Sequence, residues 1–241
     1  MQQPLSLTSI SPQLRRRFLE RGASVLAEII PRVVPIINDV ARRGDVALVE
    51  YTARFDQVDL KQGELLASEE ETRESYRVVG PALLDSLRLM HRRVSSFHSQ
   101  QHRQLLAASN RQADSLTIGQ KHVPVERVAV YAPGGKARYP STVIMGCTPA
   151  RIAGVQEVIV CSPPSQNGRV APEILVAADI AGASAVLKAG GAQAIAACAL
   201  GTDTVAPVDM IVGPGNIYVT AAKTYLASIG QVGIDLSLIH I

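Results

Sequence analysis

The 241-residue chain has no tryptophan, three phenylalanines and six tyrosines, so aromatic packing cannot build its interior. Hydrophobic residues still make up 47% of it, which predicts an aliphatic, alanine-rich core of the kind found where helices flank a sheet. Net charge is low as well. The 24 Lys and Arg against 21 Asp and Glu leave +3, too little to argue for a nucleic-acid partner. No run of about 18 apolar residues occurs, so no membrane span is expected. The start, Met1-Gln2-Gln3-Pro4, lacks the basic-then-apolar layout of a secretion signal. The three cysteines, Cys147, Cys161 and Cys198, sit singly inside apolar runs. An odd count without paired spacing points to reduced thiols used as small core residues in a cytoplasmic protein.

The first half reads as helical. Pro12 to Arg21 carries Arg15-Arg16-Arg17, a solvated helix face or a patch for a polyanion. Val25 to Arg43 is apolar at helical spacing, and Pro31 and Pro35 are expected to bound or kink it. Arg43-Gly44-Asp45 reads as a helix stop followed by an N-cap at Asp45, with a helix over Val46 to Phe55 beyond it. Ser68-Glu69-Glu70-Glu71 has the capping-box form that opens a helix. A long helix is predicted from about Pro81 to Leu106. His98 and His102 stand four apart on it, but no Cys, Asp or Glu lies near enough to complete a metal set, and a solvated face is the plainer reading. Ala107 to Lys121 is polar and mixed, a candidate edge hairpin or linker.

From Val125 onward the pattern becomes regular. Strands are predicted at Val128–Tyr131, Val158–Cys161, Ala185–Leu187 and Met210–Val212. Helical segments follow at about Ser141–Gly154, Pro172–Gly182, Ala192–Leu200 and Asn216–Ser228. Strand and helix alternating at this period imply right-handed crossovers and a parallel sheet. Three glycine-bearing loops follow strand ends: Tyr131 with Gly134-Gly135, then Gly190-Gly191-Ala192-Gln193, then Gly213-Pro214-Gly215-Asn216. In a parallel sheet those ends share one edge, where open α/β folds bind ligands. Ala192 and Asn216 open helices, so free backbone N–H groups could meet a phosphate there. Gln193 and Asn216 can each donate and accept, which suits ribose or amide contacts, although helix capping by Asn216 and core packing by the glycines would explain the same residues. The loop after the first strand is not G-x-G-x-x-G.

No nucleophile, general base or metal set can be argued from spacing. Asp203 and Asp209 read as turn and solvent residues. The residues alone give a dinucleotide-type half-domain without chemistry.

Four segments, in order, resemble histidinol dehydrogenases: Arg43 to Asp56 (RGDVALVEYTARFD), Val128 to Gly135, Gly190 to Ala196, and Val212 to Val219 (VGPGNIYV). The resemblance implies an α/β fold of two Rossmann-like domains with parallel sheets, the first incomplete in this chain and preceded by N-terminal helices. Residues 1–122 would be those helices and the incomplete first domain, 123–235 the NAD-binding domain, and 236–241 a non-native tail. It further implies a zinc-dependent, homodimeric enzyme of histidine biosynthesis that oxidises L-histidinol to the aldehyde and then to L-histidine, reducing NAD at each step. The family residues that contact NAD match Tyr131, Gln193 and Asn216. Family members continue beyond a Gly-Ile-Asp segment to their zinc ligands and a catalytic Glu-His pair. This chain reads Gly233-Ile234-Asp235 and then Leu236 to Ile241, so no catalytic or metal residue is assigned in it. A paralogue acting on another zinc-bound alcohol, or a nucleotide-binding protein without catalysis, would share these features.

Overall fold

The computed structural model describes residues 10–19, 23–107, 110–113, 116–134 and 138–235. Gly135 and the tail at 236–241 lie outside them. The chain begins with helices α1 (Pro12–Leu19), α2 (Ala23–Arg43), α3 (Asp45–Asp56), α4 (Glu69–Val78) and α5 (Pro81–Ala107). An antiparallel hairpin follows, β1 (Asn110–Ala113) and β2 (Leu116–Gly119), where the polar stretch suggested one. Then come β3 (Arg127–Tyr131), α6 (Pro140–Ala153), β4 (Glu157–Cys161), α7 (Pro172–Ile180), β5 (Ala185–Leu187), α8 (Gly191–Leu200), β6 (Met210–Val212), α9 (Ile217–Ser228) and β7 (Gly233–Ile234).

The five strands from β3 onward form one all-parallel sheet in the order β5-β4-β3-β6-β7. Counted within the sheet this is 3-2-1-4-5, the Rossmann order, and it reverses direction between β3 and β6. Successive side chains alternate between two cores, as a pleated strand requires. Ala129, Tyr131, Ile159 and Cys161 enter the core on one face, while Val128, Val130, Val158 and Val160 enter the other. Strands buried on both faces read as continuous apolar runs rather than alternating ones, and these do. Both cores are aliphatic and alanine-rich, and Cys147, Cys161 and Cys198 are free and buried in them.

The N-terminal helices pack onto this sandwich. α2 lies on α8 and α9, and α5 lies on α6 and α7. α2 is one 21-residue helix, so Pro31 and Pro35 do not bound it. Ile29, Val33, Ile37 and Val40 form a buried stripe along it, and that packing outweighs the two backbone donors the prolines remove. The next start also differs from expectation. Gly44 is the N-cap of α3, at φ 55, and Asp45 is its first residue. Asp45 is 4% exposed and accepts from Thr204 Oγ1 at 2.6 Å, so it ties α3 to the loop before β6 instead of capping its own helix. Arg43 bridges Asp39 of α2 and Glu50 of α3.

The capping box of α4 forms as read. Ser68 Oγ accepts from Glu71 N at 3.1 Å and Glu71 Oε2 accepts from Ser68 N at 2.8 Å. Glu71 Oε1 also pairs with the buried Lys188 Nζ at 3.2 Å. The segment before it covers the sheet edge: Ala67 N donates to Val186 O, and Lys188 N to Leu65 O. Covering an edge strand this way removes a template for unwanted pairing.

Candidate functional site

The reversal between β3 and β6 leaves the ends of these strands beside one another, and the loops that follow diverge from there. Val130 is opposite Val212 in the register, which brings Tyr131 against Gly213. A Cβ on Gly213 would fall 2.3 Å from Tyr131 O, and Gly213 has φ +98, so only glycine fits. A cavity of about 930 Å³ opens at this edge. Tyr131 at the end of β3, Gln193 in the first turn of α8 and Asn216 at the N-cap of α9 all line it.

Each is held differently. Tyr131 is 4% exposed, and its hydroxyl accepts from Gly191 N at 3.1 Å, closing the first turn of α8. Burial pushes its phenol up to about 12, so it stays protonated and can also donate. Gln193 is 1% exposed, yet neither its Oε1 nor its Nε2 has a partner. A buried amide with both ends unpaired in a cavity wall is costly unless something binds it. Asn216 is the N-cap of α9, and its Oδ1 accepts from Tyr218 N at 3.0 Å and Val219 N at 3.1 Å. The capping reading of Asn216 therefore holds, and the residue also lines the cavity.

The phosphate reading is narrower than the sequence suggested. α8 opens at Gly191 rather than Ala192, and the Gly191 N–H is already bonded to Tyr131. At α9, Asn216 itself takes two of the free amides. What both helices still offer is the positive end of the dipole.

The remaining wall comes from the N-terminal helices, which the sequence reading did not assign to the site. Arg32 and Ile36 of α2 and Arg54, Phe55 and Asp56 of α3 reach it. Of six tyrosines and three phenylalanines, Tyr51, Phe55, Tyr131, Tyr139 and Tyr218 line this one cavity. These five are spread over positions 51 to 218, so only the fold brings them together. Tyr51 and Phe55 are stacked with centroids 5.7 Å apart, and Arg54 lies over the Phe55 ring. Asp56 Oδ2 is buried without a partner, and burial pushes its carboxyl up to about 6.

Asp203, Asp209, His98 and His102 do not line the cavity. Asp209 accepts from the Glu126 and Arg127 amides, an anchoring role. His98 Nδ1 pairs with Gln101 Oε1 on the surface of α5. Among the described residues, no group of three or more His, Cys, Asp or Glu side chains could hold a metal, so the residues present do not fit a zinc site. No helix among them is long and apolar enough to cross a membrane.

A doubly wound sheet in Rossmann order, with its cavity at the reversal point, places the chain in the Rossmann-type α/β class. The family model for histidinol dehydrogenase matches residues 19–238. The chain is 44% identical to the histidinol dehydrogenase of Methanosarcina mazei over 226 residues, covering 94% of this chain and 51% of that protein. It is 45% identical to that of Methanopyrus kandleri over 224 residues, covering 91% and 51%. The crystal structure of histidinol dehydrogenase from Elizabethkingia anophelis superposes with a TM-score of 0.79 at 31% identity, covering 89% of this chain and 51% of that one. The chain belongs to the histidinol dehydrogenase family. It spans about half the length of the curated relatives it matches.

Proposed function

We propose that this chain is the NAD-binding portion of a histidinol dehydrogenase, with residues 1–122 the incomplete first unit and 123–235 the cofactor unit. The intact enzyme oxidises L-histidinol to L-histidine through the aldehyde, as a cytoplasmic, zinc-dependent homodimer. The observation that carries this reading is the convergence of Tyr131, Gln193 and Asn216 on one cavity at the sheet reversal. A volume of about 930 Å³ lies within the range of cofactor pockets. NAD fits the lining chemistry. The aromatic rings can stack on its planar bases, Arg32 and Arg54 bring positive charge for its pyrophosphate, and the unpaired Gln193 amide can both donate and accept.

Bound NAD would supply the hydride acceptor. The residues of this chain hold and orient it. Zinc and the acid–base pair belong, on this reading, to the half of the family's length that the chain does not span. We assign no catalytic or metal residue here and expect no turnover from the chain alone.

Calorimetric titration of NAD into the 241-residue chain and into Gln193→Leu tests the reading. Leu removes an unpaired buried amide at similar volume, so the variant should melt no lower than the parent. The parent should bind NAD saturably, and the variant should bind at least tenfold more weakly. A folded parent that binds no NAD sinks the proposal.

A further inference from the structure

We propose that Asp56 reads the ribose hydroxyls of the dinucleotide and excludes a ribose that carries a phosphate. This rests on the dinucleotide reading above and adds a residue from outside the sheet.

In Rossmann sites the ribose is usually gripped by an acidic residue at the end of the second strand. The second strand here is β4, and it ends Cys161-Ser162-Pro163-Pro164 with no carboxylate. The same function can be met from another direction. Asp56 is the last residue of α3, and it lines the cavity that Tyr131 and Gln193 line. α3 is fixed beneath it by the fully buried Leu48 and Thr52 and by its packing on α8. The Asp56 Oδ2 atom is shielded from solvent and has no hydrogen-bond partner.

Two residues that carry buried, unpartnered polar atoms therefore line one cavity. Gln193 can donate and accept, whereas an ionised Asp56 only accepts. A sugar hydroxyl can donate to the carboxylate. A phosphate in its place brings more acceptors and a second negative charge, both unfavourable against a partly buried carboxylate. Arg32 and Arg54 lie in the same cavity wall and match the pyrophosphate that NAD and NADP share. The charge that separates the two cofactors is that of Asp56.

The test is calorimetric titration of NAD and of NADP, at pH 7.5, into the full 241-residue chain and into Asp56→Asn. The parent should bind NAD at least tenfold more tightly than NADP. In Asp56→Asn that ratio should fall at least fivefold, with NAD weakened and NADP strengthened. Thermal melting of the variant, expected to be no lower than the parent's, shows that the change is not unfolding. A parent that binds NADP as tightly as NAD overturns the inference while leaving the dinucleotide reading intact, and so does a folded variant with an unchanged ratio. A parent that binds neither cofactor overturns both.

Discussion

The Tyr131 hydroxyl accepts the Gly191 amide hydrogen at 3.1 Å, so the last residue of β3 closes the first turn of α8. One side chain thereby fixes the distance between two loops that line the cavity. Tyr131→Phe keeps the ring and loses the cap. The Gly191 N–H then has only cavity water, and the loss is about 1 kcal/mol, or about 2–4 °C in melting temperature for a chain of this size. NAD binding should weaken roughly tenfold, the value of one hydrogen bond plus a less ordered loop. Differential scanning fluorimetry and calorimetry on the variant check both effects. An unchanged melting temperature would show that the hydroxyl does not hold the two loops together.

Gly213 lies against the backbone of β3 at the same edge. A Cβ there would stand 2.3 Å from the Tyr131 carbonyl oxygen and 3.1 Å from its nitrogen, which are backbone atoms of a central strand and cannot move aside. The residue also has φ +98, which costs an L side chain about 1–2 kcal/mol by itself. Gly213→Ala should lower stability by more than about 4 kcal/mol and abolish soluble expression or drop the melting temperature by roughly 10 °C or more. Gly63→Ala is the contrast, since a Cβ there meets nothing within 4 Å and φ is not positive. It should lie within about 0.5 kcal/mol of the parent. Equal effects of the two substitutions would contradict the packing at the β3–β6 edge.

These two positions also show why the sequence could be read so far and no further. The alternation of apolar strands with helical segments is a local pattern, and it located β3, β4, β5, β6 and the helices after them to within about two residues. Parallel pairing puts strand ends together by geometry alone, so the sequence pattern suffices to place Tyr131, Gln193 and Asn216 at one edge. Asp56, Arg32 and Arg54 could not. They arrive through the packing of α2 and α3 on α8, a long-range arrangement that no spacing within either helix encodes. The same tertiary packing keeps α2 continuous past Pro31 and Pro35, against local propensity. β7 has only two residues, too few to show a period. Gly44 took the capping position expected of Asp45 because the backbone there needs a positive φ, while the carboxylate is engaged by Thr204.

Asp56 gives a prediction about stability that is independent of any ligand. Burial raises its folded pKa from 3.8 to about 6, so the fold favours the protonated acid. The sign follows from proton linkage: between about pH 4 and pH 6 the native state holds more protons than the unfolded chain, and stability falls as pH rises. The contribution is full below pH ~4, is lost across that window, and is flat above it. A shift of this size would amount to roughly 3 kcal/mol in an unscreened site. The carboxyl is partly solvated through the cavity, and after screening about 1 kcal/mol is expected. Asp56→Asn removes the titration while keeping the shape. At pH 7.5 the variant should therefore melt about 2–4 °C above the parent, and at pH 4 the two should coincide. Comparing variant with parent at each pH cancels the other carboxylates, which titrate in both. A variant less stable than the parent at pH 7.5 would mean that the Asp56 carboxylate has a native partner, and its availability to a ligand would fail with it. A stabilised variant that also loses its preference for NAD would show that the residue is kept for binding at a cost to the fold.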